Sequence, residues 1–312
     1  MNTRLTVIMY HYVRDVKNTA FPEIKARNIK EFENQVRYVC KHYNIISIDE
    51  LLSAINHNEQ LPPNPALLTF DDGYVDHYTN VLPLLIKYNI SGCFYPSGRA
   101  IDDKIVLDVN KIHFILASVK DLRLLKSELF RLMDEYRNEY NLESNENYYN
   151  ALHKPNAYDC GNIIFIKRLL QRELPVDLRV KIVGSLFEKY VTSDERGFSE
   201  VLYMNKEQLS EMLNYKMHIG SHGYDHNWLD TLSENEQKNE IIKSLAFLKH
   251  IGVQRDLWTI CYPYGSYASE TLHIVTKLGG QIGFVVQGKK ADLSMHNRLL
   301  LPRLDTNQLP VK

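Results

Sequence analysis

Two short segments carry side chains whose types and spacing suit hydrolytic chemistry. One is Thr69-Phe70-Asp71-Asp72-Gly73-Tyr74; the other is Gly220-Ser221-His222-Gly223-Tyr224-Asp225-His226. Each follows a short apolar run, 66–70 and 217–219, that reads as a buried strand. Adjacent carboxylates are costly to place together unless a cation or hydrogen bonds separate their roles. On an extended backbone they point in opposite directions, so one can reach a metal while the other faces an attacking water. Asp-Gly is also a common turn former, and histidines four apart can simply cap or pack. With Asp72, however, His222 and His226 make a two-histidine, one-carboxylate set that leaves coordination positions open. A divalent metal held this way lowers the pKa of a water and polarises a carbonyl. The expectation is a metal-dependent hydrolase.

The elements that must position these residues follow from periodicity and capping. Strands are expected at 5–9, 45–48, 66–70, 93–95, 217–219, 258–262 and 282–286. A helix should follow Asn28, with Glu31 completing a capping box, and Asp49 should cap another through Ile55. A third should run over 79–88, where Pro83 is tolerable only near the first turn. Asn205 should cap the helix before the histidine segment, and Ser233 with Glu236 the helix after it. The strand–helix alternation indicates a parallel α/β architecture. It breaks over 101–199, where helices are expected at 110–117, 122–136, 162–170 and 177–190, with a polar loop at 138–158. The organisation expected is a barrel from 1–100 and 200–312 with a helical insert at 101–199, which would wall or cover the cleft.

Composition narrows the class. Among 312 residues, the 44% apolar and 24% charged fractions are ordinary for a globular protein. A net charge of −1 gives no electrostatic reason to bind nucleic acid or an anionic membrane. No apolar run reaches the length of a membrane span. The first twelve residues lack a signal-peptide core, and the four scattered cysteines suit reduced thiols, so a cytoplasmic protein is expected.

The TFDDGY and GSH-x-x-x-H segments resemble the first two motifs of the NodB-type polysaccharide deacetylases, carbohydrate esterase family 4. Cys261-Tyr262-Pro263-Tyr264-Gly265 resembles the third. The resemblance covers about 1–100 and 200–305, in the family's order, and implies a distorted (β/α) barrel of the NodB type. By motif position it implies Asp71 as general base, Asp72, His222 and His226 as ligands of zinc, and the Tyr264 N–H as an oxyanion donor. The implied substrate is an N-acetylated sugar, such as an intracellular precursor of a surface polysaccharide. Tyr74 and Trp228 rank first among aromatics that could stack on it.

The chain departs from the family pattern in several places. Gly223 replaces a small hydroxyl residue, and Cys261 stands where an Arg normally braces the base. The late segments that usually carry an Asp near a Trp and a Leu-x-His are missing. A subgroup takes its acid from an N-terminal Tyr-His, which Met9-Tyr10-His11 resembles, and Leu301-Pro302-Arg303 resembles a segment near that subgroup's end. His11 is therefore the expected acid, and an imidazole suits that work. Arg303 is the expected brace for Asp71, with Asp305 orienting Arg303 or His11. An O-deacetylase, a non-sugar amidase and a non-catalytic glycan-binding protein with a structural metal stay open.

Overall fold

A computed structural model of the chain describes residues 4–156, 159–254 and 258–311. The chain divides into two compact units, one of Met1–Asp15, Ala26–Ile105 and Ser199–Lys312, the other of Val16–Lys25 and Val106–Phe198.

The first unit is built on nine strands: β1 (Arg4–Tyr10), β2 (Asn44–Ile45), β3 (Pro65–Asp72), β4 (Cys93–Pro96), β5 (His218–Ile219), β6 (Thr259–Cys261), β7 (Ile282–Val286), β8 (Ala291–Asp292) and β9 (Leu301–Asp305). The principal order is β5-β4-β3-β1-β9-β7-β6, with all of these neighbours parallel. Beyond β5 the chain meets β6: Ser221 N–H donates to the Thr259 carbonyl and Cys261 N–H to the Ser221 carbonyl, at 2.9 and 2.8 Å. Those two bonds bring the sheet round into a distorted barrel.

Period-two alternation explains how the barrel is filled. Leu5 and Val7, Leu67, Cys93 and Tyr95, Cys261, Ile282 and Phe284, and Leu301 share one buried cluster, joined by Leu51 and Leu52 of the helix Ile48–His57. Residues of opposite parity face outward, where Tyr10 and Phe70 pack on Phe32 of the helix Ile29–His42. Asp71 keeps the parity of Leu67, and Arg303 that of Leu301. Both charges therefore belong to the inward rows, Asp71 at the carboxyl end of β3 and Arg303 in the middle of β9.

Several local expectations hold, among them β7, the cap at Asn205 and the capping box at Ser233. Others are corrected. Ser47, not Asp49, caps the helix Ile48–His57, because Glu50 returns its hydrogen bond to the Ser47 backbone. Glu31 pairs with Arg27 instead of closing a capping box at Asn28. The helical segment after Asp76 opens with a π-helical turn, His77–Val81, before Leu82–Lys87.

The second unit is helical, with long elements Asp108–Ser118, Leu122–Tyr140 and Val176–Tyr190. The polar loop expected at 138–158 is instead helical at Asn145–Leu152, while Ala157 and Tyr158 lie outside the described residues. Residues 16–25 belong to this unit, where Phe21 meets Phe114 and Phe198 edge to face. No described helix is long and apolar enough to cross a membrane.

Candidate metal centre and its surroundings

β3 delivers both carboxylates, and a break in its backbone separates them. Asp72 has φ of +71° and Gly73 of +75°, so the strand turns into the left-handed region as it ends. A Cβ at position 73 would stand 2.7 Å from that of Pro96, so only glycine fits there. The two Asp side chains thus part company through this twist, not through simple strand alternation.

Asp72 faces the histidines. The Nε2 atoms of His222 and His226 each lie 3.3 Å from Asp72 Oδ1, and all three side chains are buried. His222 Nδ1–H donates to the Cys261 carbonyl at 2.7 Å, which leaves the Nε2 lone pair aimed at Asp72. Asp72 Oδ1 receives no hydrogen bond from the described residues. A carboxylate oxygen left so between two imidazole nitrogens fits a divalent cation. Two ligand atoms about 2.1 Å from zinc at a tetrahedral angle stand about 3.4 Å apart, close to the spacing seen. His226 and Tyr264, both at φ of +57°, add left-handed backbone beside this centre. Such strain in non-glycine residues persists only where surrounding contacts hold it.

The other oxygen of Asp72 is also held. Tyr74 Oη donates to Asp72 Oδ2 at 2.5 Å, and its ring lies between those of Tyr12 and Tyr203. Tyr74 is fully buried, so it cannot stack on a sugar as the sequence reading expected. Instead it orients the carboxylate, turning Oδ1 toward the histidines. Tyr12 and Tyr95 are buried as well. Replacing Tyr74 by Phe keeps the stack and removes the hydroxyl, and we expect metal affinity to fall about 10- to 100-fold. Competition against a chelator measures it; an unchanged affinity would remove Tyr74 from the centre's support.

Asp71 faces Arg303. The guanidinium donates from Nη1 to Oδ1 at 2.8 Å and from Nη2 to Oδ2 at 2.7 Å, a bidentate pair buried on both sides. Nη1 also donates to Thr69 Oγ1. Burial works to raise the Asp71 pKa, but Arg303 and neighbouring His222 override it and hold the carboxyl well below the usual range. A second grouping, Asp71, His222 and Cys261, also lies within ligating reach. It suits a metal less well, because Arg303 occupies both Asp71 oxygens and burial pushes the Cys261 thiol far up.

His11 follows directly on β1, level with Asp71 because Tyr10 pairs with Phe70. Its Nε2 lies 3.9 Å from Asp71 Oδ2, and its side chain is 41% exposed, open to a substrate. His77, absent from the expected site, fixes this segment: its Nε2–H donates to the His11 carbonyl at 2.9 Å. Asp76 accepts from the Val13 amide, and Asn80 donates to the Val13 carbonyl. Tyr264 stacks on Trp228 at 4.2 Å and meets His226 edge to face. One face of Trp228 is therefore already covered. Asp305 braces neither Arg303 nor His11; its side chain caps the turn Thr306–Gln308.

The geometry also accounts for both departures in the motifs. Gly223 has φ of +71°, and a Cβ there would stand 2.8 Å from Glu240 Oε1. Cys261 needs no arginine, since Arg303 arrives on β9 instead.

Comparison with known proteins settles the family. The sequence profile of the polysaccharide deacetylases matches residues 58–139 and 180–283. The chain belongs to that family. Within the polysaccharide deacetylases, a candidate member, YxkH of Bacillus subtilis (strain 168), is 26% identical over 102 residues. That match covers 32% of the chain and about a third (34%) of the relative. Three solved structures share the fold. The Streptococcus pyogenes deacetylase PplD in complex with acetate superimposes with a TM-score of 0.59 at 17% identity, over 97% of this chain and 92% of that one. The BpsB deacetylase domain from Bordetella bronchiseptica gives 0.56 at 18%, over 97% and 96%. IcaB from Ammonifex degensii gives 0.55 at 17%, over 98% and 93%.

Proposed function

We propose that this polysaccharide deacetylase hydrolyses the N-acetyl group of a sugar with the help of one divalent metal ion, zinc being the expected one. The observation that carries the reading is the convergence of Asp72, His222 and His226 beside an ionised, arginine-braced Asp71. In this reading Asp72, His222 and His226 hold the ion, and Asp71 is the base. A carboxylate held so far below its usual range is a weak base, so the ion's contribution is to make a water acidic enough to yield its proton. Asp71 takes that proton as the water oxygen adds to the acetamide carbon. The Tyr264 N–H stabilises the negative charge that develops on the carbonyl oxygen. His11, exposed at the same strand ends, gives a proton to the departing amine nitrogen. Acetate and the free amino sugar leave, and one water has been consumed.

Support comes from the family, the donor set and the bidentate brace. The two reasons for a non-catalytic binding protein were Gly223 and Cys261, and each has a structural explanation. Acetate release from a panel of N-acetylated and matched O-acetylated sugars and UDP-sugars tests the proposal. We expect release from an N-acetylated member, its loss on chelation and its return with zinc. Release that persists in chelated protein would falsify the metal dependence, and release from O-acetyl donors alone would favour an esterase.

A further inference from the structure

The loop between His222 and His226 is gripped from behind by one helix. Glu240 and Ser244 stand one turn apart on the helix Glu234–His250, so their side chains share a face. Glu240 Oε1 accepts the amide hydrogens of both Tyr224 and Asp225, at 2.9 and 2.7 Å. Ser244 Oγ lies 2.7 Å from Ser221 Oγ, which accepts the Gly223 N–H at 3.2 Å. Three successive amides of the loop, at 223, 224 and 225, are thereby satisfied by or through this helix. The loop needs such support, because Gly223 and His226 at its two ends both sit in the left-handed region.

Glu240 is 4% exposed, an unusual place for a carboxylate to which no cation among the described residues is hydrogen-bonded. Burial and the nearby charge of Asp225 push its pKa up, against its two amide donors and Lys243, to about 7. What the loop receives from it is one acceptor oxygen shared by two successive amides.

We infer that Glu240 is a positioning residue for the metal centre: by holding the amides of Tyr224 and Asp225, it sets the loop conformation in which His222 and His226 aim at one point. The inference rests on the ligand set of the proposed function. It concerns what makes that set converge, and it predicts different behaviour for two replacements. Glu240→Gln keeps an acceptor oxygen for both amides. Glu240→Leu keeps a side chain of similar size and leaves both part-buried amides without that partner.

The test is the zinc affinity of the full chain, measured with zinc alone against a competing chelator. The thermal midpoint of each metal-free protein is recorded alongside. Glu240→Leu should bind zinc at least about tenfold more weakly than wild type, and Glu240→Gln should stay within about threefold of it. Wild-type affinity in a folded Glu240→Leu overturns the inference, and so does an equal loss in both variants. Should Glu240→Leu fail to fold, amide hydrogen exchange on the metal-free wild type decides. Slow exchange at Tyr224 and Asp225 supports the inference, and exchange at the rate of open loop amides overturns it. If the wild type itself binds no zinc, the ligand set fails with it, an outcome distinct from failure at Glu240 alone.

Discussion

Arg303→Met destabilises the barrel unit by about 3–5 kcal/mol, the cost of leaving a buried carboxylate without its partner. Both members of the pair are almost completely buried, so no solvent is at hand to take the place of the guanidinium. The loss is larger than for a surface ion pair, worth about 0–1 kcal/mol. At this size it lowers the thermal midpoint by on the order of 10 °C. The pH dependence has a defined sign in chelated protein. In the wild type the folded pKa of Asp71 is depressed, so the pair's contribution is complete above the unfolded pKa and is lost as pH falls toward the folded value. In Arg303→Met burial is opposed only by the weaker pull of His222 and His11 and raises that pKa, so the penalty is present at neutral pH and fades as the carboxyl takes a proton. The gap between the two proteins should narrow from pH 7 to pH 4. A constant gap, or none at pH 7, rules out the buried pair as a source of stability.

Asp71→Asn lowers kcat/KM for acetate release by about 10²- to 10⁴-fold. Asparagine is nearly isosteric and still offers one oxygen to Arg303, but it cannot take the proton of the attacking water. Zinc affinity should change little, because Asp71 turns toward Arg303 and Asp72 toward the histidines. Rates are compared well below the variant's thermal midpoint, since Arg303 loses part of its pairing. A variant with wild-type turnover would remove Asp71 as the base. One that loses zinc together with activity would place it among the ligands.

The elements that read clearly from sequence are those whose pattern is strong and local. β1, β3 and β7 are runs of apolar residues, and Asn205 with Gln208 and Ser233 with Glu236 are reciprocal caps that need no tertiary partner. The helix Asn145–Leu152 escaped because none of its residues is buried, so there is no apolar face to produce a period. β9 escaped because Pro302 and Arg303 interrupt its alternation, and the arginine that breaks the pattern is the one that braces Asp71. The pairing itself was expected from the resemblance carried by Leu301-Pro302-Arg303; deriving it from inward parity requires knowing that β1 lies between β3 and β9. Tyr74 shows the opposite limit. Its place beside two aspartates suggested contact with substrate, and only the buried stack with Tyr12 and Tyr203 reveals an orienting role.

The Asp71–Arg303 pair joins residues 232 positions apart. A ribosome adding about 5–20 residues per second needs roughly 10–50 s to travel from one codon to the other. During that interval β1, β3 and β4 can already associate, yet the carboxylate they surround has no cation and must keep its water or its proton. Final desolvation of the centre thus waits for the ninth strand, inserted between the first and the seventh. The strand that carries the completing arginine is also the one that joins β1 to β7.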